Sequence, residues 1–338
     1  MLLSQNSQII LRHAKQFETK KVFFFGNIQD VLPIYLLTDQ TKIHFYKYND
    51  YLCFQKKNIK NINIYNTILI SKNIIQDCNT IIYYWPKNKK EAEFQLKNAL
   101  SCLSLNTRVF IVGNNSSGIK SASKILQPWI KLKKIDNAKH SILMTGSIKK
   151  TIQFTLHNFF KIHTWNNLYI KSLPGVFGHK KIDEGSKLLA STFSKNMNGK
   201  ILDMGSGTGF LSVCLLNCSP NVLVTLTDNN VIALKCSQET LKINQFKGQI
   251  IASNIYSNIF EKFDLIISNP PFHEDLATNF NTIKTIIFES VQYLKPKGEL
   301  RFVVNSCFKY DIFLKKIFKH FDIIEKNYKY QVYQTFLN

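Results

Sequence analysis

Residues 200–209 read K-I-L-D-M-G-S-G-T-G, and this stretch constrains the fold more than any other part of the chain. The apolar run Lys200–Met204 predicts a short strand, and Phe210–Leu216 has helical spacing directly after the glycines. Strand, glycine loop and helix in that order open an α/β unit whose ligand sits at the C-terminal strand ends. Glycines let the backbone pass close to a ligand, and the following helix leaves N–H groups free. Two phosphate-binding loops are excluded by position. A dinucleotide fingerprint needs glycine where Phe210 stands, and a Walker loop needs Gly-Lys-Ser/Thr, which does not follow. A loop that serves only as a tight turn stays open at this stage.

Downstream the pattern repeats. Asn221–Thr227 and Gln249–Ala252 predict strands around a helix at Val231–Asn244. Phe263–Ser268 predicts a buried strand, and Thr282–Leu294 a helix closed by a turn at Lys295-Pro296-Lys297-Gly298. Glu299–Val304 is a further strand, and Phe321–Leu337 two strands joined around Asn327. Alternating strands and helices predict a doubly wound, mostly parallel sheet. In the first half, Lys21–Phe25, Thr80–Tyr84 and Thr107–Val112 predict strands and Lys90–Leu103 a helix. Ile81–Lys87 can be laid on Ile266–Phe272, and Val109–Gly113 on Arg301–Asn305. That overlay implies a repeated domain whose first copy lacks the glycine loop. With 338 residues, two domains are expected, 1–155 and 165–338.

The chain carries 44 basic and 22 acidic residues, net +22, but only Arg12, Arg108 and Arg301 are arginines. Lysine, asparagine and isoleucine have A/T-rich codons, so codon drift inflates the sum. Its distribution is more telling: residues 1–150 hold 23 basic and 8 acidic side chains, net +15, against +7 for residues 151–338. The excess points to a polyanion-facing surface on the first half. Seven cysteines without a C-x-x-C pair read as free thiols of a reducing compartment. Cys214 and Cys218 lack a nearby third ligand, so no metal is expected. Apolar runs fall far short of the roughly 20 residues a membrane helix needs, and Met1–Arg12 has no leader pattern. A soluble, cytoplasmic, monomeric chain is expected.

The D-x-G-x-G-x-G pattern of Asp203, Gly205, Gly207 and Gly209 is similar to the loop with which class I methyltransferases bind S-adenosyl-L-methionine. Asp228, at the end of the next strand, suits a ribose diol, or else caps the helix after it. Asn254, ending the third strand, is placed for the adenine edge, or is a turn residue. Asn269-Pro270-Pro271-Phe272 follows the fourth strand at the same sheet edge. An amine conjugated to a ring is a poor nucleophile, because its lone pair is delocalised. The Asn269 side-chain oxygen and the Pro270 carbonyl can each accept one of its N–H bonds and aim the lone pair at a methyl group. Two prolines hold the loop rigid, and Phe272 offers a face for a planar base. No strong base is needed, since the methylated ammonium sheds its proton readily. His273 reads as a polar loop residue, and Lys180-Lys181 as a solvated pair.

Leu173-Pro174-Gly175-Val176-Phe177, Asp183 and Gly185–Leu189, with Tyr83–Lys89, Ala252–Asn254 and Ile266–His273, resemble the motifs of the bacterial ribosomal RNA small subunit methyltransferase C family. The resemblance spans both halves. It implies two tandem Rossmann-like class I methyltransferase domains, the second with a seven-stranded mostly parallel sheet and a C-terminal antiparallel hairpin. It implies methylation of the exocyclic N2 amine of a guanine in 16S rRNA of the small ribosomal subunit. The first domain would help folding and RNA binding without cofactor. Gly205, Gly207 and Gly209 would line the methionine and ribose end of the cofactor, with Asp203 in the same motif. Asp228 would take ribose and Asn254 adenine. Asn269, Pro270, Pro271 and Phe272 would hold guanine, with Phe177 and Asp183 covering the pocket. Ser206 stands where many relatives carry cysteine, and lysines replace most of the family's arginines.

Three rival functions remain. One is a large-subunit rRNA guanine-N2 methyltransferase. Another methylates a release-factor glutamine, where N-P-P-Y is usual. The third is an inactive rRNA-binding assembly protein.

Overall fold

The computed structural model describes residues 3–57, 59–270 and 276–338. It divides into two units, Met1–Phe159 and Phe160–Asn338. The first is built on β1 (Lys21–Gly26), β2 (Gln40–His44), β3 (Ile62–Tyr65), β4 (Thr80–Tyr84), β5 (Arg108–Asn114), β6 (Lys133–Ala138) and β7 (Ser141–Ser147). Their order is β3-β2-β1-β4-β5-β7-β6. The second opens with a hairpin, β8 (Lys161–Trp165) and β9 (Leu168–Ser172). Its sheet comprises β10 (Lys200–Met204), β11 (Leu223–Asp228), β12 (Gln249–Ala252), β13 (Phe263–Ser268), β14 (Leu294–Asn305), β15 (Phe321–Lys326) and β16 (Tyr330–Phe336). Their order is β12-β11-β10-β13-β14-β16-β15, the same topology strand for strand. In each sheet five strands are parallel and the last two form an antiparallel hairpin.

The central strands are apolar because helices cover both faces. Val22, Phe23, Phe24 and Phe25 are all 0% exposed, and each contributes on the order of 1.5–3 kcal/mol by burial. Two of the longer helices start where an asparagine side chain caps them. Asn88 Oδ1 accepts from Lys90 N at the head of Lys89–Ser101, and Asn230 Oδ1 accepts from Ile232 N at the head of Val231–Ile243.

The repeat inferred from sequence is present, with one correction. Phe25 pairs with Tyr83, and Met204 with Ser268, so Ile81 does lie on Ile266. In the next strand Tyr83 pairs with Ile111, and Ser268 with Phe302. Val109 therefore lies on Leu300, not on Arg301. A one-residue slip turns a side chain to the opposite sheet face. Arg301 is the residue that misleads: it interrupts the apolar run, yet it is only 6% exposed. Its guanidinium donates to the Thr192 carbonyl at 2.7 Å and is paired with Glu299.

Two further expectations change. The helix before β14 runs Leu276–Tyr293, starting earlier than Thr282. Lys295–Gly298 is not a separate turn but an outward bulge within β14, where pairing jumps from Phe263↔Leu294 to Leu265↔Glu299. Lys297 takes φ 63° there, and its N–H donates to Leu337 O at 2.9 Å.

Among the described residues no helix is long and apolar enough to cross a membrane. Among them, no cluster of three or more His, Cys, Asp or Glu side chains is arranged to hold a metal ion.

Candidate active site

The glycine loop leaves the C-terminal end of β10 and is pinned to β11. Ser206 N donates to Thr227 O at 2.8 Å, and Gly207 N to Asp228 Oδ2 at 2.9 Å. Gly205 has φ +72°, and a Cβ placed on it would meet nothing within 4 Å. The backbone there borders open space, as a ligand cradle requires. Gly209 differs. A Cβ on it would come within 3.0 Å of Ser237 Cα, so this glycine lets the helix Phe210–Cys218 approach the helix Val231–Ile243. It is not among the residues that line the pocket.

The first unit has no such cradle. Register places Gly26 where Gly205 stands, and a Cβ there would lie 2.3 Å from Tyr84 O and 2.7 Å from Tyr83 Cε2. Phe24 pairs with Ile43 and Asp203 with Leu226, so Phe45, 2% exposed, occupies the place of Asp228.

Asp228 ends β11 with both oxygens engaged. Oδ2 accepts from Gly207 N, and Oδ1 accepts from Asn230 N at 2.8 Å. The cap of the following helix is Asn230, so Asp228 is not the capping residue. Burial pushes its carboxyl up, while N–H bonds from Asn230, Gly207 and Asn229 oppose the shift. With three N–H donors on about four lone-pair sites, the carboxylate keeps one for a hydroxyl donor.

Asp203 lies beneath the loop rather than in it. It is 0% exposed, and Ser212 Oγ donates to its Oδ2 at 2.6 Å, while Oδ1 has no partner among the described residues. The Ser212 bond ties β10 to the next helix. Burial pushes its carboxyl up to about 7, against the Ser212 bonds and with help from the Asp228 charge. A carboxyl raised by folding contributes stability below its unfolded pKa of about 4. That contribution is lost as pH rises through about 7. We expect stability against urea to fall between those limits, and Asp203→Asn to flatten the dependence. An unchanged pH slope in the variant would refute this assignment.

Asn254 follows β12 in a turn, where its N–H donates to Ser257 Oγ at 2.9 Å. It stands at the same C-terminal sheet edge but does not line the pocket.

Asn269 follows β13 and is 8% exposed. Its Nδ2 donates to Asp183 Oδ2 at 2.9 Å and to Ser186 Oγ at 2.7 Å. A carboxylate can only accept, so the amide orientation is fixed by chemistry. Oδ1 is left buried without a partner among the described residues. An orphaned acceptor costs about 1–3 kcal/mol, which an arriving N–H donor would recover. Pro270 is buried beside it. Pro271, Phe272, His273 and Glu274 lie outside the described residues.

Asp183 is less a cover than a brace. It caps the helix Glu184–Ala190, its Oδ2 accepting from Ser186 N at 2.9 Å as well as from Asn269. Ser186 was not singled out from sequence. The available signal was its place three residues after a capping aspartate. Ser186→Ala should loosen the Asn269 amide, leaving Asp183 alone to hold its Nδ2. We expect kcat to fall about tenfold, with the KM values for RNA and cofactor nearly unchanged. A lower Tm with intact kcat would make Ser186 merely structural.

Phe177, Asp183, Ser186, Gly205, Gly207 and Asn269 line one pocket, together with Ile170, Phe210 and their neighbours. Phe177 is 42% exposed at its mouth. The residues present fit S-adenosyl-L-methionine. Gly205 borders open space in the loop, and Asp228 accepts from Gly207 N beside it with a lone pair to spare.

A family model described as methyltransferase small domain matches residues 167–334. Its N-terminal counterpart, methyltransferase small domain N-terminal, matches residues 7–163. Ribosomal RNA small subunit methyltransferase C of Buchnera aphidicola subsp. Acyrthosiphon pisum (strain APS) is 60% identical, covering 99% of this chain and 99% of its own. The protein of that name from Erwinia tasmaniensis is 39% identical, covering 97% and 96%. A solved 16S rRNA N2 methyltransferase from T. thermophilus, in complex with AdoMet and guanosine, shares the fold. Its TM-score is 0.79 at 17% identity, over 99% of this chain and 92% of that one. With 60% identity across nearly its full length to a curated member, the chain belongs to the ribosomal RNA small subunit methyltransferase C family.

Proposed function

We propose that this chain transfers a methyl group from S-adenosyl-L-methionine to the exocyclic N2 amine of one guanine in 16S rRNA of the small ribosomal subunit. The observation that carries the proposal is the Asn269 amide. Its donor end is consumed by Asp183 and Ser186, and its acceptor end is unpartnered among the described residues in the pocket that Gly205 and Gly207 also line. The names of the full-length relatives and the guanosine in the T. thermophilus complex favour the same substrate.

The Gly205–Thr208 backbone would hold the cofactor, with Asp228 at its ribose and Asn254 at its adenine. When bound, S-adenosyl-L-methionine supplies an electrophilic methyl carbon on its sulfonium. Asn269 Oδ1 and the Pro270 carbonyl each accept one N–H of the guanine amine. Those two bonds fix the nitrogen and turn its lone pair toward the methyl carbon. The guanine must leave its stack to enter, with Phe272 as its stacking face. The basic first unit, whose loop is closed at Gly26, binds rRNA. The chain works as a monomer in the cytoplasm.

Mass mapping of rRNA from a deletion strain tests the reading. One 16S guanine should lose its N2-methyl mark and regain it on complementation. A lost mark in large-subunit rRNA would favour the large-subunit alternative. Unchanged marks would favour the inactive assembly protein, which the open cradle at Gly205 argues against.

A further inference from the structure

We propose that the first unit holds the sugar–phosphate backbone of RNA in a polar crevice at the C-terminal ends of β1 and β4. This inference rests on the 16S rRNA substrate proposed above. Strand order β2-β1-β4 makes that edge the topological switch point of the first sheet, the place where open α/β sheets bind ligands. Tyr83 and Tyr84 close the cofactor cradle at Gly26. Beyond them lies a cavity of about 410 Å³, lined by Asn6, Asn27, Gln29, Lys87, Asn114 and Ser116 among others. None of the lining residues is acidic.

The chemistry of the lining selects the ligand. Asn6 is 9% exposed, and its Oδ1 accepts from Ser141 Oγ at 2.8 Å. That bond commits the acceptor and leaves Nδ2 as a donor. Lys87 is exposed and has no carboxylate partner among the described residues. The Asn27 and Gln29 amides likewise make no side-chain hydrogen bond among them. A surplus of donors around one cation suits phosphate oxygens and ribose hydroxyls. Base stacking is not on offer. Trp85 is 2% exposed, and its Nε1 is committed to Ser117 O at 3.2 Å. The crevice therefore grips backbone, adding affinity and register without reading sequence. The net +15 of residues 1–150 steers RNA toward it.

The test measures the affinity of the full chain for a 16S rRNA fragment over a salt series, by fluorescence anisotropy. Variants are Lys87→Glu and the double substitution Asn27→Ala/Gln29→Ala, with exposed Lys57→Glu as control. Lys87→Glu should weaken binding about tenfold, lower the log–log salt slope by about one, and act alike on fragments of different sequence. The double variant should weaken binding severalfold, with the salt slope kept. S-adenosyl-L-methionine affinity and Tm should not move. Losses no larger than those of Lys57→Glu, or losses that depend on base identity, would overturn the proposal. If the native chain methylates 16S rRNA while the crevice variants bind like the control, this inference alone fails. If the native chain methylates no 16S rRNA, the functional reading fails first.

Discussion

Asn269→Ala should lower methyl transfer to 16S rRNA by about 10²–10³-fold, the scale on which losing one preorganised polar contact to a reacting group acts. S-adenosyl-L-methionine should still bind nearly as well, because the cradle at Gly205 and the Asp228 carboxylate are untouched. The loss should appear in kcat, since the bond from amine to Oδ1 matters most as the nitrogen pyramidalises. Asn269→Asp should rescue little. It keeps an acceptor but removes the donor to Asp183 and sets two carboxylates face to face. Single-turnover methylation with saturating cofactor separates the cases. Near-native turnover in the alanine variant would remove Asn269 from the chemistry.

Asp228→Ala should weaken S-adenosyl-L-methionine binding by about 10–100-fold, as expected for losing one or two hydrogen bonds to a charged acceptor. The effect has two sources. The ribose loses its acceptor, and Gly207 N–H loses the bond that pins the loop to β11. Asp228→Asn keeps one oxygen for one of these tasks and should fall between. Calorimetric titration of the cofactor gives the answer directly. An unchanged dissociation constant would confine Asp228 to the Gly207 and Asn230 N–H groups.

Legibility in the sequence followed local punctuation. Phe263–Ser268 is bounded by a charged loop and a proline pair, and its extent is as expected. The C-terminal hairpin was visible through Asn327, whose Oδ1 accepts from Lys329 N and Tyr330 N. β2 was not visible, because Q-T-K-I-H reads as a polar loop. Its Lys42 is buried only because Nζ finds Ile74 O at 3.0 Å and Asp77 at 3.6 Å. These partners are more than thirty residues away. The three loop glycines look alike in a motif, yet Gly205 borders open space and Gly209 packs on Ser237. Only the neighbours distinguish them. The brace on Asn269 was hidden for the same reason: Asp183 and Ser186 meet it across more than eighty residues.

The most direct measurement is a crystal structure of the chain with S-adenosyl-L-homocysteine and guanosine. The guanine N2 should lie about 3 Å from Asn269 Oδ1, with Nδ2 still on Asp183 and Ser186. A guanine amine bound beyond hydrogen-bond reach of Oδ1, or an amide turned so that Oδ1 no longer faces the base, would contradict the account.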